Sequence, residues 1–287
     1  MKAWLDCMPC ALRQGLNTIR RVTDDEEVHR RVVDEIVRRL VGVSLQQTPA
    51  SLSDCAYAAI RDVTGIEDPY AEEKRRSNAM AMKLVEQCRP LVERSDEPLH
   101  AALKLAIMGN LIDLGIGHDL EADLDGEAAL SKPFAIDDTA LLRADLKDAE
   151  MAVYLGDNAG EIAFDKLVVE HLGDDHPGLE VVFVVKSKPI INDAMLADAE
   201  QVGMHQVARV IENGSGRIGT DLDDIGEELR DLLDRADVVI SKGQGNFETL
   251  ADAPFDRYFL LTAKCDCVAK ELGVEYKDAV LRKKLRS

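Results

Sequence analysis

Two short segments set a carboxylate beside a carboxamide: Asp157-Asn158 in GDNAGE (156–161) and Asn192-Asp193 in KSKPIIND (186–193). Oxygen donors of this kind are the ligands that Mg²⁺ or Mn²⁺ prefers, which makes Asp157, Asn158 and Asp193 a candidate metal set. The same residues also suit purely local structure, with Asp157 and Asn158 forming an Asx turn and Asn192 or Asp193 capping a following helix. The recurrence of the pair favours the metal. A third segment, KGQGN (242–246), places Lys242 before Gly243 and Gly245. Glycines let backbone approach a ligand closely, and an ammonium neutralises phosphate. A glycine-rich turn carrying a surface lysine accounts for these residues equally well. A helix opening near Gly160, at Glu161, would aim free N–H groups at an anion. Lys186, Lys264 and the ENGSG segment (212–216) are further candidates for the same anion.

These residues can act together only if the chain brings their loops to one place. Five short β-branched or apolar runs precede the loops, at 152–155, 181–185, 207–211, 238–240 and 258–261. Helical patterns separate them, at 162–172, 193–202, 222–235 and beyond Thr249. Continuous apolar strands alternating with helices imply a mostly parallel sheet covered on both faces, in which ligands bind outside the carboxyl ends of the strands. The five loops, AKCDC (263–267) included, then open onto a single edge. Upstream, Val28, Val32, Val33, Ile36, Val37 and Leu40 recur at helical spacing, and similar patterns run through 53–63, 71–88 and 99–111. The chain therefore divides into an all-helical subdomain over 1–130 and an α/β subdomain over 131–287.

Composition narrows the partners. With 35 Lys+Arg against 54 Asp+Glu the net charge is −19, which disfavours binding to a phosphate backbone. Hydrophobic residues at 46% supply a substantial core. No run approaches the roughly 20 apolar residues that span a bilayer, and MKAWLDCMPCALRQ lacks the apolar stretch of a signal peptide, so a cytoplasmic protein with neither nucleic-acid nor membrane partner is expected. In a reducing compartment the six cysteines are thiols or ligands rather than a disulfide framework. Cys7 and Cys10, with Cys265 and Cys267, could together form a structural zinc site, but the single-residue spacing of the second pair favours four small, partly buried residues.

Four segments, LGDNAGEIAFD (155–165), VKSKPIINDA (185–194), SKGQGNFETL (241–250) and FLLTAKCDCVAKELGV (259–274), resemble the successive motifs of the domain-of-unknown-function-89 family, whose characterised members are metal-dependent damage-control phosphatases. DPYAEEKRRSNAMA (68–81) and KLAIMGNLIDLGI (104–116) resemble its helical half, so the likeness covers nearly the whole chain. The resemblance implies an N-terminal helical subdomain packed on a Rossmann-like α/β subdomain. It implies metal ligation by Asp157, Asn158 and Asp193, and a catalytic lysine at Lys242. Asn110, Asp113, Glu161, Gly243 and Asn246 are then expected to contact substrate or phosphate.

The expected activity is hydrolysis of a phosphate monoester on a small metabolite, helped by Mg²⁺, Mn²⁺, Co²⁺ or Ni²⁺. A nucleotide- or S-adenosylmethionine-binding transferase is the alternative, since doubly wound sheets host such ligands too. Against it, GDNAGE stands where a GxGxxG would follow the first strand. A non-enzymatic, zinc-dependent scaffold is the other.

Overall fold

A computed structural model describes residues 1–113 and 126–286, the side chains of 108–113 excepted. Three helices come first, α1 (Cys7–Val22), α2 (Glu26–Leu40) and α3 (Pro49–Thr64). Local chemistry starts them. The Asp25 carboxylate accepts the Glu27 N–H at 2.8 Å, and Thr48 caps α3 with Pro49 at the first helical position, where a missing N–H leaves nothing unsatisfied. Their apolar stripes close a core of their own around Ile19, Val32, Ile36, Leu52 and Ile60, which Ile190 and Ile218 from the other half of the chain complete.

The next helices, α4 (Ala71–Glu93) and α5 (Pro98–Asp113), join the sheet instead. After α6 (Gly126–Ser131) come β1 (Ile136–Asp137), α7 (Thr139–Leu146), β2 (Met151–Leu155), α8 (Glu161–Asp175), β3 (Glu180–Val185), α9 (Leu196–Val202) and β4 (Arg209–Glu212). The chain continues through α10 (Glu227–Arg235), β5 (Val238–Lys242), α11 (Gly243–Leu250), β6 (Arg257–Thr262), α12 (Asp266–Leu272) and β7 (Ala279–Lys284). The strands lie in the order β1-β7-β6-β5-β2-β3-β4, every pair parallel except β6 with β7.

The pleat sorts each strand between two cores. Ala152 and Tyr154 of β2 face the layer of α4, α5, α8 and α9, whereas Val153 and Leu155 face α10, α11 and α12. Burial on both faces is why these strands read as unbroken apolar runs. β3 pairs with one side of β2 and β5 with the other, so the chain reverses direction across the sheet at β2. The carboxyl ends of β2 and β5 form the topological switch point, outside which such sheets bind ligands.

The expected α/β architecture with N-terminal helices is present, with differences at its margins. β1 is two residues long, and β7 carries Arg282, Lys283 and Lys284 in succession, a pattern that does not announce a strand. Tertiary partners make it one: Lys283 pairs with Asp145, and Arg282 donates to the Leu272 carbonyl. The helix expected from Asp193 begins only at Leu196, and that expected over 222–235 begins at Glu227. In the second case Asp224 is held in a turn by the Ser215 hydroxyl at 2.6 Å.

Candidate active site

Backbone bonds unite the two acid–amide pairs. Asn158 and Asp193 form an isolated antiparallel bridge, Ala194 N–H donates to the Asp157 carbonyl at 2.8 Å, and Ala159 N–H donates to the Asn192 carbonyl at 2.9 Å. The loop after β3 is thus folded back over the loop after β2, closed at its base by Lys186 N–H on the Ala194 carbonyl. Its tip holds Ile191 at φ 45°, a left-handed conformation that a β-branched residue rarely adopts. Ile190 and Ile191 are held there by packing into the α1–α3 core.

The site is crowded with negative charge. Burial, then Glu161, then Asp193 push the Asp157 carboxyl well above the usual carboxylate range, and the ammonium groups of Lys264 and Lys242 only partly oppose them. Asp193, 3% exposed, lies 3.6 Å from the Lys186 ammonium, which also donates to the carbonyls of Arg217 and Gly219. A third device fixes Asp157. Gly243 has φ +81°, and a Cβ there would fall 1.8 Å from Asp157 Oδ2, so the carboxylate occupies the space that any other side chain would need. A confined carboxylate whose protonation Asp193 raises, with Asn158 paired against Asp193, fits a divalent cation, whose charge would reverse that balance.

Lys242 differs from its expected place beside phosphate. Its fully buried ammonium donates to Glu161 Oε2 at 2.9 Å, Asp165 Oδ1 at 2.8 Å and the Ala106 carbonyl at 3.1 Å, which uses all three N–H groups. Burial alone would lower its pKa, but Asp165 and Glu161 outweigh burial and raise it. Glu161 is likewise buried rather than turned to an anion, and its Oε1 accepts the Asn158 carboxamide N–H at 3.0 Å. A carboxylate can only accept, so this bond orients the amide with its carbonyl oxygen away from Glu161. Asp165, which also accepts from the Tyr154 hydroxyl at 2.7 Å, is pushed up to about 6, mainly by burial. Replacing Lys242 by Met strands two buried acids and is expected to cost about 3–5 kcal/mol in urea unfolding. Adding Glu161→Gln and Asp165→Asn should restore much of that loss.

Asn246 is also structural in its contacts: it donates to the Gly156 and Lys242 carbonyls at 3.1 and 2.8 Å and accepts from the Thr220 hydroxyl at 2.7 Å. It ties β2 to β5 at the crevice. Gly243 acts as the cradle for Asp157. Asn110 and Asp113 stand on the last turn of α5, and their side chains lie outside the described residues. Asn192 and Asp193 do not cap α9; Asp198 does so, accepting the Met195 N–H at 2.9 Å. Lys186 and Lys264, secondary in the sequence, are the lysines nearest the two acids in charge. Only the alternation of loops and strands pointed to them.

The zinc reading of the four cysteines, the less favoured one in the sequence, finds no site here. Cys7 and Cys267 share a thiol hydrogen bond, with Cys10 and Cys265 close by, but among the described residues no group of three or more His, Cys, Asp or Glu can hold a metal ion. Zinc needs thiolates in a tetrahedron. Burial raises the Cys7 and Cys10 thiols and pushes Cys267 up to about 12.

A family model described as the damage-control phosphatase ARMT1-like domain matches residues 4–280. The chain belongs to that family. It is 34% identical to a damage-control phosphatase of Archaeoglobus fulgidus over 96% of this chain and 97% of that protein. A damage-control phosphatase of Pyrococcus horikoshii is 34% identical over 96% and 95% of the two chains. The crystal structure of a DUF89 family protein from Pyrococcus horikoshii superimposes with a TM-score of 0.91 at 31% identity, covering 100% of this chain and 99% of that one. The family resemblance of the chain is thereby established, and membership supports a phosphatase that acts on small phosphorylated compounds.

Proposed function

We propose that this protein hydrolyses phosphate monoesters of small metabolites, damaged compounds or side products among them, with a divalent cation in the crevice outside β2 and β5. The observation that carries this reading is the backbone pairing that sets Asp157 and Asn158 against Asp193 at the switch point of the sheet. When bound there, Mg²⁺, Mn²⁺, Co²⁺ or Ni²⁺ would act as a Lewis acid toward a phosphoryl oxygen. Asp157, Asn158 and Asp193 would hold it. Glu161 keeps the Asn158 carbonyl oxygen presented, and Lys242 keeps Glu161 in place from beneath. Lys264 is only partly buried, and its charge already acts on Asp157, so it takes the phosphate-neutralising part expected of Lys242. Asn110 and Asp113 are proposed to contact the rest of the substrate.

A nucleotide-binding transferase gains no support from this geometry. The Asp157 carboxylate lies against the N-terminus of α11, where it would repel a pyrophosphate rather than cradle it.

Metal-stripped protein titrated with each of the four cations against a panel of small phosphate esters is expected to release inorganic phosphate only when metal is added. Absence of release with every cation would overturn the proposal. Within the same assay, Lys264→Met should lower kcat/KM by tenfold or more, about 1.4 kcal/mol or above, while binding of the cation persists.

A further inference from the structure

Asn78 lies on α4, in the helical layer, and is fully buried. Its Oδ1 accepts the Gly160 N–H at 2.7 Å. Its Nδ2 donates to Asp198 Oδ1 at 2.8 Å and to Gln201 Oε1 at 3.0 Å. The amide orientation is dictated by chemistry, since a backbone N–H only donates and a carboxylate only accepts. Gly160 follows Asn158 by two residues. Met195 follows Asp193 by two, and its N–H is held by the other oxygen of Asp198 at 2.9 Å. One carboxamide therefore touches the loop after β2 directly and the loop after β3 through a single carboxylate.

The surroundings restrain this contact from both sides. Gly160 has φ +83°, and a Cβ there would come 3.2 Å from Ser77 Cβ, so α4 is pressed against the turn. Asp198 lies 4.0 Å from the buried Lys74 ammonium, which pairs with Asp68 at 2.7 Å. Gln201 donates in turn to the Arg75 carbonyl at 3.0 Å, so α9 is fastened to α4 by a second route.

We infer that Asn78 is a positioning residue that sets the separation of the two ligand-bearing loops, and so the cation affinity of the site, from outside the α/β unit. This rests on the metal site proposed above. Buried polar networks of this kind resist local rearrangement because every partner lost leaves another unsatisfied. Outer partners that orient ligating groups commonly govern metal affinity by one to two orders of magnitude.

The test is titration of Mn²⁺ into metal-stripped full-length protein, followed by the electron paramagnetic resonance signal of the free ion, with no substrate present. Wild type, Asn78→Ala, Gln201→Ala and Tyr258→Phe are compared. The last removes the 2.6 Å hydrogen bond to Asp145, at a distant strand, and reports what a general loss of stability does. Asn78→Ala should raise the Mn²⁺ Kd at least tenfold and Gln201→Ala about threefold, with Tyr258→Phe unchanged. A folded Asn78→Ala that binds Mn²⁺ as wild type does would overturn the inference while leaving the metal site standing. If Asn78→Ala does not fold, Gln201→Ala decides, and wild-type affinity there overturns it equally. Wild type that takes up no Mn²⁺ removes the metal site itself, and the inference with it.

Discussion

Asp193→Ala is expected to release phosphate at least about 10³-fold more slowly than wild type, a loss on the order of 4 kcal/mol in transition-state stabilisation, and to fold as stably in the absence of metal. Asp157→Ala should behave in the same way. The two halves of this expectation have one cause. Asp193 is among the charges that drive the Asp157 carboxyl upward, so its removal relieves repulsion in the metal-free protein. Lys186 loses an ion pair at 3.6 Å, a cost limited by its bonds to the carbonyls of Arg217 and Gly219 and by the charge of Asp54 close by. On the proposed reading, function and stability are opposed at this position, as expected where like charges are gathered for a cation. Steady-state kinetics beside thermal unfolding of the apo protein separates the two effects. Wild-type turnover in either variant would remove these residues from the ligand set.

Gly243→Ala tests the same site through sterics alone. The added Cβ would lie 1.8 Å from Asp157 Oδ2 and 2.1 Å from Cγ, well inside contact distance. The position also has φ +81°, where a left-handed conformation costs an alanine about 1–2 kcal/mol. The chain must either swing the Asp157 carboxylate out of the crevice or part the loops after β2 and β5. Both outcomes predict a loss of turnover greater than about 100-fold, with about 2–4 kcal/mol of destabilisation in chemical unfolding. Gly173→Ala serves as the control. Gly173 lies in α8, and a Cβ added there would meet nothing within 4 Å, so alanine should add about 0.5–1 kcal/mol of stability and leave activity alone.

Much of this site is legible in the sequence. Strand periodicity locates β2, β3 and β5 within a few residues, and the rule that ligands lie beyond the carboxyl ends of parallel strands points to the loops that carry Asp157, Asn158 and Asp193. β7 is not legible, because three successive basic residues look like a solvated segment until Asp145 and the Leu272 carbonyl are seen to receive two of them. The buried surroundings of Lys242 are not legible for a related reason. KGQGN looks like a phosphate loop from either side of the sheet, and nothing local says which way its lysine turns.

Residue type and period, acting over a few neighbours, by themselves determined the α/β class, the order of the strands in the chain and the oxygen chemistry of the site, since helical and extended backbones present side chains at fixed intervals. Only the tertiary structure decided which charged groups face the crevice. Lys242 and Glu161 are drawn into a buried ion network because α5 and α8 close over the end of β5 and leave them no water. Lys264 stays partly buried with its charge acting on Asp157, and Asn78, 82 residues earlier in the chain than Gly160, meets that glycine because α4 packs on that layer. Such distances between partners are set by the packing of whole elements, which no local pattern records.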